Sequence, residues 1–143
     1  MRKDETAAAA RQHRSAGALI PGFVPTLHSL DETYKFYNEA YGKGTIWGAF
    51  EEQKLLGHIA LEPGWIEHLY VDVDRQGEGI GRRLLDHAKG EQTDLQLYTF
   101  QANQRARAFY EAAGFVMEEM TNGERNEEKQ PDMRYRWKSK DHE

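Results

Sequence analysis

The chain contains no cysteine among its 143 residues, which excludes disulfide bonds, thiolate metal sites and a cysteine nucleophile. It also lacks any apolar run near the ~20 residues that a membrane-spanning helix requires. The net charge is −5, and no basic stripe of the kind that binds nucleic acid occurs. No pair of its six histidines has the HExxH spacing of a zinc site. We therefore expect a cytoplasmic protein with no metal, nucleic-acid or membrane partner.

The length suits a single domain with one core, spanning residues 1–143, with flexible ends at 1–5 and 139–143. Nothing before Thr6 alternates as a strand, so any first strand is short or absent. The order of elements predicts an α/β fold, a three-layer mixed sandwich whose central sheet is mostly antiparallel and flanked by four helices. Capping and periodicity predict four helices, at 6–17, at 29–42, from the glycines at 77–81 to about Lys89, and at 103–114. Runs of aromatic and β-branched residues predict six strands, at 45–50, 55–62, 65–73, 95–100, 115–120 and 133–137.

Three glycines alternate in "DRQGEGIGRRLLDHA" (74–88), directly before an amphipathic helix. A tight strand-to-helix turn would explain them. An anion site would also explain them, because the N–H groups at the start of a helix and the helix dipole attract phosphate. The spacing fits neither the Rossmann nor the Walker phosphate loop. In the Rossmann pattern GxGxxG, counted from Gly77, Arg82 occupies the position of the last glycine, and the Gly-Lys-Ser/Thr that ends a Walker loop is absent.

The pattern Gln76-x-x-Gly79-x-Gly81 resembles the pyrophosphate loop of the GNAT superfamily of N-acetyltransferases. "NQRARAFYEAAGF" (103–115) resembles a second signature of that superfamily, an Asn followed by a helix that bears Phe-Tyr and ends in Gly-Phe. "GERNEEKQPDMRYRW" (123–137) resembles the C-terminal end of one bacterial branch. The resemblance implies the acyl-CoA N-acyltransferase fold, acetyl-CoA as co-substrate and a primary amine as acceptor. The chain departs from the pattern in its missing first strand.

An acetyl-CoA site can be placed on these motifs. The N–H groups of residues 77–82 can converge on the pyrophosphate, where side chains would collide. The pantetheine arm can pair, as an extended peptide does, with the strand edge that ends at the loop. Asn103 either caps its helix or contacts the pantetheine arm, as the resemblance implies. The expected cofactor-binding residues are Leu69, Tyr70, Val71, Gln76, Gly77, Glu78, Gly79, Ile80, Gly81, Arg82, Asn103, Phe109 and Tyr110.

Acetyl transfer requires a neutral amine, a stabilised carbonyl oxygen and a proton for the departing thiolate. Without cysteine, direct transfer in a ternary complex is favoured over a covalent intermediate. The resemblance places Tyr110 at the coenzyme sulfur as the acid, and a core aromatic is the alternative. Glu67 is the expected base, because the pKa of a partly buried carboxylate can rise and the group also attracts a cationic amine; an ordinary exposed strand residue is the alternative. Since strand neighbours face opposite ways, at most one of Glu67 and His68 is expected to face the amine.

Three questions stay open at this level. The polar segment 121–131, with its glutamates, is either a solvated surface or a lid that favours cationic amines. The chain is either an enzyme or a non-catalytic acyl-CoA-binding sensor on the same fold, and Tyr110 favours the enzyme. It is either a monomer or a homodimer, the latter if the first edge of the sheet needs a partner.

Overall fold

The computed structural model describes residues 5–20 and 29–139. All the helices and strands expected from the sequence are present, and the α/β class is confirmed. The expected flexible ends, and the place of the short or absent first strand, fall almost entirely on residues 1–4 and 140–143, outside the described residues. The elements are α1 (Thr6–Gly17), α2 (Leu30–Lys43), β1 (Ile46–Glu51), β2 (Lys54–Glu62), β3 (Trp65–Val71), α3 (Ile80–Glu91), β4 (Asp94–Phe100), α4 (Gln104–Ala112), β5 (Val116–Met120) and β6 (Asp132–Lys138).

The six strands form one sheet in the order β1-β2-β3-β4-β6-β5. Every neighbouring pair is antiparallel except β3 and β4, which run parallel and are joined through α3. These two strands pair at a single position, Trp65 with Gln96, near the start of both. Since both strands run the same way from that point, they separate toward their carboxyl ends, and the sheet opens in its middle.

Helices cover both faces of the sheet. The larger core packs α3 and α4 against one face, with Leu85, Leu95 and Tyr135 fully buried. A smaller core packs α1 and α2 against the other face of β1 and β2, around the fully buried Tyr37. The predicted three layers are therefore present. Within the described residues, no helix is long and apolar enough to cross a membrane.

Candidate active site

A cleft of about 1370 Å³ lies where β3 and β4 separate. Its walls come from both faces of the sheet: α1 and α2 on one side, α4 on the other, with the β5–β6 loop (121–131) alongside. Of the residues predicted from sequence, the cleft brings together Glu67, Leu69, Tyr70, Asn103 and Tyr110. The remaining predicted residues, Val71, Gln76, Gly77, Glu78, Gly79, Ile80, Gly81, Arg82 and Phe109, are not among its lining residues.

The edge of β3 that faces β4 is unpaired beyond Trp65 in the part of the sheet that the structure describes. Its other edge pairs with β2 at every residue except Glu67, including Leu69 with Ile59 and Tyr70 with His58. The backbone groups along the open edge can therefore pair with an extended ligand, as in β-strand addition.

The loop between β3 and α3 leads from this edge to a helix start suited to an anion. Gly77 and Gly79 both have φ of +84°, a conformation that costs glycine little. No side chain caps α3, and its first turn carries no acidic residue. Among the described residues, the N–H groups of 77–82 have no hydrogen-bond acceptor. Donors without acceptors at a helix N-terminus are the features that bind phosphate.

Close packing of α3 explains the third glycine. A Cβ atom at Gly81 would lie 3.4 Å from Phe109 Cζ and 3.5 Å from Val71 Cγ2. Gly81 therefore lets the first turn of α3 approach both β3 and α4. Phe109, expected to contact the cofactor, packs against this turn and the main core.

Two arginine side chains next to the loop, Arg75 and Arg82, are held in ion pairs. Arg75 binds Glu78 at 2.9 Å and Glu51 at 3.0 Å, so the carboxylate of Glu78 beside the helix start is paired. Arg82 binds Asp86 at 3.2 Å on the exposed face of α3. The backbone N–H groups, rather than these guanidinium groups, are thus the donors available at the start of α3.

Tyr110 is buried on α4, where its ring packs against Phe115 and Tyr135. Its side chain also lines the cleft, and its hydroxyl has no hydrogen-bond partner among the described residues. Burial, and to a smaller extent Tyr70, raises the pKa of Tyr110 above its usual value. The phenol stays protonated at neutral pH and can donate a hydrogen bond into the cleft.

Asn103 serves as the N-cap of α4, because its Oδ1 accepts from the N–H of Ala106 at 3.2 Å. The side chain also lines the cleft. Capping uses only the amide oxygen, so the Nδ2 donor can contact a ligand. The two interpretations of Asn103 left open by the sequence are therefore compatible.

A β-bulge alters the expected alternation on β3. Ala60 pairs with His68, but the next residue of β2, Leu61, pairs with Ile66, which leaves Glu67 as the extra residue. Both Glu67 and His68 line the cleft. Strict alternation along β3 therefore fails at this bulge, and the expectation that at most one of the two side chains faces the amine stays a prediction.

The carboxyl group of Glu67 has another carboxyl group as a neighbour. Burial raises the pKa of Glu67, and the charge of Glu62 and a hydrogen bond between the two side chains raise it further. Lys43 opposes the shift and lies 3.7 Å from Glu62. Two carboxylates that compete for one proton favour a cation between or beside them.

The β5–β6 loop is held by its own hydrogen bonds. Asn126 binds both Gln130 and Asp132, while Thr121 donates to Asp132. Gln101 adds bonds to the carbonyls of Thr121 and Asp132. This ordered loop contributes Glu124, Glu127 and Glu128 to the cleft wall.

Sequence reasoning missed a cluster of rings that extends from the cleft wall into the interior. His13, Tyr37, His58, His68 and Tyr70 come from four different elements, and their ring centroids lie 4.6–6.3 Å apart in contacting pairs. No spacing in the sequence marks them as a group. Burial lowers the pKa of His58 to about 3, with a smaller contribution from His13.

Acid should destabilise the protein through this cluster. Unfolded His58 titrates near 6.5 and folded His58 near 3, so between these values the unfolded state binds more protons and stability falls as pH falls. The loss is up to ~1.4 kcal/mol per pH unit. Urea unfolding between pH 7.5 and 4 measures it. His58→Gln should flatten the dependence, whereas His87→Gln on the exposed face of α3 should not, and an equal slope in all three proteins would contradict the assignment.

Comparisons with known proteins agree with this geometry. A family model described as "Acetyltransferase (GNAT) domain" matches residues 42–117. The peptidyl-lysine N-acetyltransferase YjaB of Salmonella typhimurium is 28% identical over 100 residues, covering 61% of this chain and 69% of the relative.

Two solved structures have a similar fold. The solution structure of apo YjaB from Escherichia coli has a TM-score of 0.75 at 20% identity, covering 97% of this chain and 95% of that one. The yncA protein of Salmonella typhimurium, solved with acetyl-CoA, has a TM-score of 0.76 at 15% identity, covering 96% and 90%.

Proposed function

Because this chain belongs to the GNAT family of acetyltransferases, we propose that it acetylates a cationic primary amine by direct transfer within a ternary complex. Family membership makes it an acetyl-CoA-dependent acyltransferase rather than a non-catalytic acyl-CoA sensor. The observation that carries the choice of acceptor is the charge of the cleft wall. Its described lining includes eight carboxylates against three Arg and Lys side chains.

The residues present fit acetyl-CoA, which supplies the activated acetyl group. The N–H groups of 77–82, which have no acceptor in the described chain, would hold the pyrophosphate. The open edge of β3 would pair with the pantetheine amides, and Asn103 Nδ2 would donate to one of their carbonyls. Backbone N–H groups at Leu69–Val71 would stabilise the carbonyl oxygen as it gains charge.

A lysine side chain is the acceptor class that matches the cleft. It is a primary amine that carries a positive charge at neutral pH, and the acidic β5–β6 loop would draw it in. The YjaB relative is named for action on peptidyl-lysine, which supports this class. Glu67 would bind the ammonium ion as it enters, and Tyr110 would protonate the departing thiolate.

An amine panel tests the function directly. Release of coenzyme A thiol is measured with lysine peptides flanked by lysine or by glutamate, and with free aspartate as an anionic acceptor. We expect the lysine-flanked peptide to give the highest kcat/KM. A preference for the anionic acceptors would contradict the proposed acceptor class.

Glu67→Gln should raise KM for the lysine peptide roughly three- to tenfold, about the effect of one partly exposed charge pair. In the native protein, KM should rise as pH falls through the elevated pKa of Glu67, because the protonated carboxyl no longer attracts the cation. The variant should lose this dependence. Glu91→Gln on α3 is the matched control and should keep both the KM and its pH profile. An unchanged KM in Glu67→Gln would exclude Glu67 from the amine site.

A further inference from the structure

Thr99 carries a buried hydroxyl group that has no hydrogen-bond partner in the part of the chain that the structure describes. The residue is 9% exposed and belongs to the wall of the cleft. A buried polar group without a partner costs free energy, and such groups are rare in folded proteins. The hydroxyl of Thr99 therefore requires an explanation beyond the folding of β4.

The pattern of β4 calls for an apolar residue at this position. Leu95 and Leu97 point alternately into the main core, and Thr99 continues the same face of the strand. Thr99 also pairs with Met133 of β6, which is buried in that core, and directly opposed residues share a face of the sheet. Valine would have the same shape without a hydroxyl. The hydroxyl thus stands on the side of the sheet that α4 covers with Tyr110.

The place of Thr99 along β4 puts it across the cleft from the open edge of β3. The two strands pair at Trp65 and Gln96 and separate beyond that point. Thr99 lies three residues further, about 10 Å at the usual rise of a strand. The same length of β3, which holds one extra residue at its bulge, ends near Leu69. A ligand along this edge of β3 therefore passes Thr99 on its other side.

We propose that the Thr99 hydroxyl forms a hydrogen bond with an amide of the pantetheine arm of acetyl-CoA, on the side of the arm that faces away from β3. The inference rests on the placement of the arm given in the proposed function. A threonine hydroxyl can donate to an amide carbonyl or accept from an amide N–H. Rotation between staggered rotamers exchanges the positions of its hydroxyl and methyl groups, so the hydroxyl can turn from the interior toward a bound arm.

The face of the sheet favours the coenzyme over the amine as the partner of this hydroxyl. Asn103 and Tyr110, both expected to contact the coenzyme, belong to α4 and its cap, on the side that Thr99 faces. Glu67, proposed to bind the ammonium ion, interacts with the charge of Lys43 at the end of α2. That helix covers the opposite face of the sheet.

Thr99→Val tests the inference through two measurements that should change in opposite directions. The melting temperature of the ligand-free variant should equal or exceed that of the native protein, because valine leaves no buried hydroxyl unpaired. The Kd for coenzyme A, measured by calorimetry, should rise roughly three- to tenfold, the usual effect of one neutral hydrogen bond. An unchanged Kd would overturn the inference. A lower melting temperature with the native Kd would show that the hydroxyl is structural.

Two further variants separate the hydroxyl from the packing around it. Thr99→Ser keeps the hydroxyl and loses a methyl group, so its Kd for coenzyme A should stay near the native value. Thr45→Val is the matched control, because the Thr45 hydroxyl donates to the carbonyl oxygen of Ala40 at 3.1 Å and lies outside the lining of the cleft. It should lower the melting temperature and leave the Kd unchanged. A Kd that rises equally in Thr99→Ser and Thr99→Val would contradict a role for the hydroxyl.

Titration with acetyl-CoA identifies the part of the ligand that the hydroxyl contacts. Free coenzyme A contains the pantetheine amides but no acetyl group, so a contact with the arm predicts the same loss of affinity for both ligands in Thr99→Val. A loss confined to acetyl-CoA would place the contact at the acetyl carbonyl and overturn the assignment to the arm.

The outcomes also separate this inference from the proposed function. If Thr99→Val binds coenzyme A as the native protein does, the inference fails, and acetylation of the lysine peptide by the native protein still supports the proposed function. If the native protein binds coenzyme A but acetylates no amine of the panel, the proposed function fails. The binding measurements then still decide whether Thr99 contacts the arm.

Discussion

Replacing Tyr110 by phenylalanine should lower kcat at least about tenfold, since general acid catalysis typically contributes about 10²–10⁴-fold. The ring contacts with Phe115 and Tyr135 remain, and the hydroxyl has no partner within the described residues. Stability and coenzyme A affinity should therefore change little. The interaction that is lost belongs to the transition state, in which negative charge builds on sulfur. Steady-state kinetics with the lysine peptide, together with thermal unfolding, measure both effects.

Tyr135→Phe is the matched control for this substitution. Its hydroxyl donates to Glu111 at 2.5 Å and lies outside the cleft lining. Loss of that bond should cost about 1 kcal/mol of stability and leave kcat unchanged, the reverse of the pattern for Tyr110. If Tyr110→Phe turns over at the native rate, the tyrosine is structural and water supplies the proton.

Gly79→Asp should weaken coenzyme A binding at least about 30-fold relative to Gly79→Asn, because a carboxylate beside the pyrophosphate repels it by up to several kcal/mol. The two variants have the same shape. Both must adopt the positive φ of Gly79, which Asn and Asp tolerate better than other residues. The backbone strain is therefore common to both, and the difference between them isolates the charge.

Calorimetric titration with coenzyme A measures this difference, and added salt should reduce it through screening. A space of at least 4 Å around the Cβ position of Gly79 means that neither side chain collides with the protein. Equal affinities in the two variants would show that the pyrophosphate does not bind at the start of α3.

Local patterns in the sequence were enough to predict the helices and strands. Apolar periodicity and capping residues act over a few neighbours, and they placed all ten elements within a few residues of their observed bounds. The alternating glycines likewise indicated the loop and its donors, because a positive φ at Gly77 and Gly79 is a property of the backbone itself. Tyr110 and Asn103 came from a short motif on one helix, and both line the cleft.

The acceptor side of the cleft depended on contacts between distant segments. The bulge at Glu67 arises from the pairing of β2 with β3, so the pattern within β3 alone could not reveal it. Hydrogen bonds join His58 to Tyr37 and to Gln12 over separations of 21 and 46 residues, with no spacing that a sequence pattern could reveal.

The sequence by itself therefore determined the elements, the loop at the start of α3 and the family resemblance, since these depend on interactions between near neighbours. Only the tertiary structure decided where β3 and β4 separate and which groups form hydrogen bonds with the buried ring of His58. The physical reason is that strand pairing and buried hydrogen bonds are satisfied by whichever groups the packed helices bring together. Those partners are set by the packing of the whole chain and not by position along it.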